Sequence, residues 1–456
     1  MHVSELFLPE VREALQSDPA AIRELVEELH PVDAAEIFLG LKEDEQLIFL
    51  KALLITEQVE ILEELDDDLR ADLFEKLAPD MAARLVAEMS ADERADLFRE
   101  LPTPLAAKIL AKLSKEDAKD LRSLLAWPEG TAGALMTTDY VELDAEMTVA
   151  QAIERIREVA EDVETIYYAY AISPEGSLRG VVSLRSLVLS KPDRSIADLM
   201  DTEHLVTVHG SDDQAEVTQV IAKYDLLALP VVDDAGRLLG IITVDDTLDV
   251  AEEEATEEVQ RLSGMEPLED SYLKTTFFQM IRSRAGWLIL LFVGEMFTGN
   301  ALRHFEESLQ EAITLVFFIP LLISAGGNTG SQSAGLLIRA LAIGEVVPKQ
   351  TWSVLKRELT CGLMLSLILA VIGAVRALLW SGIGWQIALI VALALICIVT
   401  MASVVGGLMP ILVKRVGMDP AVASAPLVAT IVDIVGIVLY FSIAQAVLTR
   451  WSVEGG

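Results

Sequence analysis

Leucines and alanines recur at three- and four-residue spacing from residue 20 to 127, with Pro31, Pro79, Pro102 and Pro104 interrupting the pattern, which predicts short helices. The octet Arg70-Ala71-Asp72-Leu73-Phe74-Glu75-Lys76-Leu77 is answered 24 residues later by Arg94-Ala95-Asp96-Leu97-Phe98-Arg99-Glu100-Leu101, the period of one helix-turn unit in a stacked array. After Trp127-Pro128-Glu129-Gly130 the texture changes to strands alternating with helices. There Gly180-Val181-Val182-Ser183 is answered 60 residues on by Gly240-Ile241-Ile242-Thr243, and Leu135-Met136 by Leu199-Met200. The texture changes again beyond residue 270. Charge is missing from Ala377 to Val413 (37 positions), from Ala312 to Ile338 (27) and from Leu359 to Val375 (17). A bilayer core needs about 20 apolar residues per helix. Five crossings are therefore expected, near 284–303, 312–338, 356–379, 384–413 and 420–449, the first weakened by Glu295.

Charge separates these materials. The 456 residues carry 35 Lys+Arg and 71 Asp+Glu, a net charge of −36. Only 12 basic and 9 acidic residues follow Asp270, so the first 270 residues carry 23 basic against 62 acidic, a net −39, and all the excess acid precedes the apolar part. Such acidity argues against a nucleic-acid partner, which needs clustered Lys and Arg. Met1 to Leu15 holds Glu5, Pro9, Glu10 and Arg12 and no secretory signal pattern, so the acidic half is expected in the cytosol. Arg282, Arg284, Arg339, Lys349, Lys356, Arg357, Lys414 and Arg415 fall on one side of the five crossings, against Arg303, Arg376 and Arg450 on the other. By the positive-inside rule the N-terminus is cytoplasmic and the C-terminus extracytoplasmic. Cys361 and Cys397 lie inside apolar runs, which removes any disulfide framework or cysteine-rich zinc site.

Within the apolar part Asp433 stands out, with 13 uncharged residues before it and 16 after. It reads either as a structural carboxylate, bonded to a neighbouring helix or kept protonated by burial, or as a cation site. The stretch Ile319-Pro320 to Ser333 contains Gly326-Gly327-Asn328 among small polar residues. Such a stretch either opens the backbone towards a wet cavity or permits close helix packing. A lone carboxylate and freed carbonyls offer hard oxygen ligands only, which suits hydrated Mg²⁺. Glu295 and Glu311 are weaker candidates. A third acidic feature, Asp245 to Glu258, leads into the first crossing and places like charges four apart on a helix, either as a solvated face or as a sensor.

Each copy of the duplicated strand ends in Ser or Thr before a turn that opens a helix, and the pair resembles a tandem cystathionine-β-synthase (CBS) module. The order of acidic helices, CBS pair, acidic connecting helix and five crossings resembles the MgtE family of magnesium channels, most specifically at Pro320–Gln332 and Asp419–Asp433. The resemblance implies an all-α helical-repeat domain over 1–128, an α/β CBS pair over 129–250, a connecting helix over 251–275 and an all-α pore domain over 276–456. It implies a Mg²⁺ channel or transporter, homodimeric in the bilayer of the cell inner membrane, with Asp433, carbonyls near Ala429, and Gly326, Gly327 and Asn328 around the transported ion. It further implies regulatory Mg²⁺ at Glu60, Asp92, Asp96, Asp213, Asp225, Asp246, Asp249, Glu254, Glu257 and Glu258, closing the pore when cytosolic Mg²⁺ is high. Some family members carry Asn where this chain has Ser331 and Ala425. ATP is a further candidate ligand, with Tyr170 stacking on its base, although Ser186 replaces the Asp that often takes the ribose.

Two rival readings remain at this point: another transported divalent cation such as Co²⁺, Ni²⁺ or Ca²⁺, and a membrane-anchored Mg²⁺ or nucleotide sensor that transports nothing. An enzyme is not expected, since no Ser/His/Asp or Cys/His grouping, phosphate loop or zinc spacing emerges and the five histidines are scattered.

Overall fold

Pro31 and Pro79 each occupy the first position of a helix, where a missing N–H costs nothing, and so fix where helices start in the N-terminal half. The computed structural model describes residues 3–17, 19–27, 29–268, 272–305, 313–381 and 383–454. The chain divides into two units, Met1–Glu252 and Glu253–Gly456.

The first unit begins with ten short helices: Val3–Ser17, Pro19–Glu27, Pro31–Leu39, Glu43–Ala52, Ile55–Glu63, Asp67–Lys76, Pro79–Glu88, Ala91–Glu100, Thr103–Leu110 and Lys115–Leu124. From Pro31 onwards most helices pack mainly on the next but one, in stacked rows. The duplicated octets belong to two such partners, Asp67–Lys76 and Ala91–Glu100. Their apolar positions, including Leu73, Phe74, Ala95 and Leu97, fill one core. Within one row lies a buried guanidinium, Arg70, 1% exposed, which donates to Asp67 and, on the stacked helix Ala91–Glu100, to Glu93.

Two three-stranded sheets follow. In the first, β1 (Tyr140–Leu143) runs parallel to β2 (Thr165–Ile172), which is antiparallel to β3 (Leu178–Ser183). The second repeats that order with β4 (Val208–His209), β5 (Ala228–Val232) and β6 (Leu238–Thr243). The duplicated glycines are explained by close crossings. A Cβ on Gly240 would sit 2.5 Å from the Thr137 carbonyl and 2.9 Å from Met136, and one on Gly180 would sit 2.9 Å from the Asp201 carbonyl and 3.0 Å from Met200. Each Leu-Met segment thus crosses the other copy's sheet, so the two copies exchange their leading segments. The strand-to-helix unit also diverges. Ser183 caps Leu184–Leu189, which stops after six residues ahead of Pro192, whereas β6 runs into the 19-residue helix Val244–Leu262, which meets no proline.

In the second unit five spans are long and apolar enough to cross a membrane: Phe277–His304, Ile313–Ala342, Pro348–Leu378, Trp385–Arg415 and Ala425–Thr449. They are called here the first to fifth membrane helices. The second opens with a 3-10 turn, Ile313–Phe318, and continues as the α-helix Ile319–Ala342. The fourth is central and packs on the second, third and fifth. Small residues set these contacts: a Cβ on Gly406 would lie 2.1 Å from the Gly330 carbonyl, and one on Gly362 would lie 2.8 Å from Ser403. Cys361 and Cys397 are exposed on the bundle surface.

One expectation is corrected here. The second membrane helix is not opened at Gly326-Gly327-Asn328; it runs unbroken from Ile319 to Ala342. Pro320 lies in its first turn, where no intrahelical bond is lost, and the glycines serve close packing.

Candidate ion pathway and acidic clusters

Glycines on the second membrane helix bring the fifth against it. A Cβ on Gly326 would meet Val432 at 2.7 Å, and one on Gly330 would meet Val428 at 2.8 Å. That approach places Asp433 beside Gly327, where a Cβ would lie 4.0 Å from its Oδ1 and 3.7 Å from the Ala429 Cβ. Gly327, Ala429 and Asp433 are therefore brought together. Gly326 is turned towards Ile398 and Val432, and Asn328 is exposed, its Nδ2 3.4 Å from Ser324 Oγ. A structural carboxylate bonded to a neighbouring helix would require a partner, and among the described residues no hydrogen bond or ion pair reaches Asp433. Ser331 and Ala425, far apart in sequence, meet here through a 3.2 Å bond from Ser331 Oγ to the Ala425 carbonyl. Glu311 lies outside the described residues.

Sequence reasoning passed over Glu358, which falls just before a charge-free run. Its carboxylate accepts from Ser333 (2.8 Å) and Ser403 (2.7 Å), joining the second, third and fourth membrane helices. Below them the acids of the connecting helix are engaged: Arg261 donates to Glu257 (2.6 Å) and Asp419 (2.7 Å), and Arg339 to Glu258 (3.1 Å). Glu254 also has an interaction partner.

In the first unit the helix Ala91–Glu100 presents its N-terminus to carboxylates, as the partial positive charge there favours. Glu63 accepts from Ser90 N–H (2.8 Å) and Ser90 Oγ (3.1 Å), and Asp139 lies near the same helix start. Asp92, 7% exposed, is buried among them, and its Oδ1 has no hydrogen-bond partner. Burial, helped by the neighbouring Asp245 charge, pushes its carboxyl well above the usual range. Asp246 feels the same field. Burial and the Asp92 charge raise it to about 7, against the bonds it accepts from Thr243 N–H (3.2 Å) and Oγ1 (2.6 Å). Burial raises Asp96 and Asp139 to about 6 and Glu93 and Glu164 to about 8; Arg99, Arg94 and Arg70 oppose it at Asp96, Asp139 and Glu93 respectively, whereas at Glu164 the neighbouring acids reinforce it.

Of the carboxylates expected to sense cations, the structure gathers Asp92, Asp96 and Asp246, and adds Glu63, Glu93, Asp139, Glu164 and Asp245. Glu60 is exposed on the helix Ile55–Glu63. Asp213 and Asp225 stand exposed at the two ends of Gln214–Tyr224, Asp225 in the left-handed conformation at φ 51°, and Asp249 is exposed on the helix after β6. Among the described residues no three Asp, Glu, His or Cys side chains form a direct metal-ligand group.

A cleft of about 290 Å³ lies beside β3, lined in part by Tyr168, Ser183, Ser186, Asp201, His204 and Pro230. Ser183 and Ser186 share a 2.8 Å hydroxyl contact at the position where the second copy pairs Thr243 with Asp246. Tyr170 does not line it. Its ring is fully buried edge-on against Tyr140, so it has no open face for a base, and Tyr168 takes the cleft position instead.

A helical repeat, a CBS pair and a unit of five apolar spans define a multi-pass membrane protein of the cation-transport class. The family model described as a divalent cation transporter, MgtE, matches residues 319–443, the MgtE intracellular N domain matches 29–130, and CBS domains match 132–191 and 196–253. The magnesium transporter MgtE of Thermus thermophilus is 36% identical over 96% of this chain and 98% of its own length. That of Enterococcus faecalis is 36% identical over 71% of each. A solved cytosolic domain of the Mg²⁺ channel MgtE, in complex with ATP, is 36% identical with a TM-score of 0.51, covering 53% of this chain and 99% of that one. The chain belongs to the MgtE family.

Proposed function

We propose that this chain carries Mg²⁺ across the membrane as a homodimer, with its first unit and its N-terminus in the cytosol. The observation that carries the reading is Asp433, a carboxylate in the middle of an apolar helix, without a hydrogen-bond or ion-pair partner among the described residues, facing Gly327 and Ala429 where two helices meet. A charged group kept at that depth is costly unless it meets a cation or water. Mg²⁺ retains most of its waters and needs few protein oxygens, so one carboxylate from each protomer suffices to hold it. The transported ion is the substrate. The protein supplies a narrow polar point in an otherwise apolar wall.

Regulation follows from the acidic cluster of the first unit. Asp92, Asp96 and Asp246 with their neighbours are costly to ionise together, and a dication among them offsets the repulsion. Cytosolic Mg²⁺ therefore favours the packed arrangement, and a pore that closes in that arrangement limits its own supply. Glu257 and Glu258 would join such sites only in exchange for their present arginine partners, Glu60, Asp213, Asp225 and Asp249 in exchange for solvent, and Glu254 in exchange for its present interaction. An adenine nucleotide is proposed for the cleft at Tyr168, Ser183 and Asp201, in line with the ATP complex of the relative.

The test is Mg²⁺ uptake into proteoliposomes by the full chain and by Asp433→Ala, with Co²⁺ as the competing substrate. The reading requires loss of at least about tenfold in Mg²⁺ uptake, since the site loses the carboxylate that faces Gly327 and Ala429. Normal uptake by Asp433→Ala would remove it.

A further inference from the structure

The first membrane helix carries an acid that the pore reading leaves unexplained. Glu295 is exposed on a helix whose other exposed neighbours are Leu290, Phe292, Val293, Met296 and Phe297. Among the described residues no hydrogen bond or ion pair reaches it. A carboxylate turned to hydrocarbon without a partner is not tolerated at membrane depth, so it must face water, a cation or another polar group.

Two contacts fix where it lies. Trp287 Nε1 donates to Ser424 Oγ at 3.1 Å, and a Cβ on Gly294 would sit 3.0 Å from Thr430 Cγ2. The first and fifth membrane helices therefore run side by side in the same direction. Glu295 is eight residues beyond Trp287 and Asp433 nine beyond Ser424, which at 1.5 Å per residue puts the two carboxylates within about 3 Å of one depth. One turn on from Gly294, Thr298 is 9% exposed and its hydroxyl has no hydrogen-bond partner. The i,i+4 spacing puts it on the face that meets the fifth helix, a second polar group awaiting a ligand.

We propose that Glu295 is a second carboxylate of the ion path, level with Asp433, that draws hydrated divalent cations to that depth with the Thr298 hydroxyl beside it. The proposal rests on the reading of Asp433 as the pore carboxylate. It adds a specificity-determining residue, because a second negative charge favours a dication over a monovalent ion by the ratio of their charges.

Two measurements on the full chain in liposomes test it. In a Cys361→Ala, Cys397→Ala background, Glu295→Cys should react with a charged methanethiosulfonate at least about tenfold faster than Phe292→Cys, as a wet position does against a lipid-facing one, and Mg²⁺ should slow that reaction. In uptake, Glu295→Gln should raise the half-saturating Mg²⁺ concentration about fivefold, the effect of one charge on a dication across roughly 8 Å of water-like medium, with Glu295→Asp closer to wild type. Labelling no faster than at Phe292, or an unchanged Mg²⁺ dependence in Glu295→Gln while Asp433→Asn is impaired, overturns the proposal alone. Unimpaired Asp433→Asn overturns the parent reading and this one with it. The labelling needs no transport, so it reads the environment of position 295 in either case.

Discussion

Glycine 406 and glycine 335 are both helical glycines of the membrane unit, yet their surroundings differ completely. A Cβ on Gly406 meets the Gly330 carbonyl at 2.1 Å, whereas one on Gly335 meets nothing within 4 Å. Gly406→Ala is expected to cost about 1–3 kcal/mol or to prevent assembly of the second and fourth membrane helices. Gly335→Ala should be neutral or add a few tenths of a kcal/mol through helix propensity. Thermal denaturation of the purified proteins in detergent separates the two, and equal melting temperatures would refute the packing account. At the same scale Asp433 was legible from sequence because charge is so rare around it. Glu63, Glu93, Asp139 and Glu164 were not, since they come together only when separate segments converge on one helix end. No local spacing records that convergence. Glu358 was passed over for a different reason: it borders an apolar run, where a helix-end carboxylate is the ordinary expectation, and only the two serines facing it reveal its place inside the bundle.

Element boundaries follow the local chemistry closely. Proline starts several N-terminal helices, and Pro192 follows the end of the short helix Leu184–Leu189, while its counterpart continues for 19 residues as the connecting helix. The duplicated Gly-apolar-apolar-Ser/Thr strands were legible as a repeat, but the exchange of leading segments between the copies was not. It appears only in the contacts of Gly180 with Met200 and Gly240 with Met136. The backbone at Gly326-Gly327 was misread for a related reason. Small residues support either an opened helix or a closely packed one, and the choice is made by neighbouring helices that sequence does not place. Gly240→Ala tests the crossing. Its Cβ would lie 2.5 Å from a backbone carbonyl that cannot yield cheaply, so about 1–3 kcal/mol of destabilisation is expected. Gly236→Ala is a poor control because its φ is 74°, which strains any L side chain. A useful control is Glu175→Ala, on the exposed turn before β3.

For the whole molecule, charge is the organising quantity. The carboxylates gathered at Ala91–Glu100 are raised in the packed state, Asp96 and Asp139 to about 6, Asp246 to about 7, Glu93 and Glu164 to about 8. The packed state thus binds protons more tightly than the separated one. Its advantage is complete below the ordinary carboxylate range and is lost as pH rises through 6 to 8. A dication substitutes for those protons, so Mg²⁺ should protect the helix most at high pH. Hydrogen exchange of residues 91–100 in the full chain checks this. Without Mg²⁺, protection should fall between about pH 5 and pH 9, and added Mg²⁺ should restore it strongly near pH 8 and little near pH 5. Equal Mg²⁺ effects at both ends would refute the electrostatic account of regulation.

The most direct measurement joins the two halves: Mg²⁺ uptake into proteoliposomes by wild type, by Asp433→Ala and by Asp92→Asn/Asp246→Asn, each with low and then high Mg²⁺ on the cytosolic face. The account requires uptake that depends on Asp433, that falls at high cytosolic Mg²⁺ in wild type, and that responds less to cytosolic Mg²⁺ when the two buried acids are neutralised. Uptake by Asp433→Ala at the wild-type rate would contradict it.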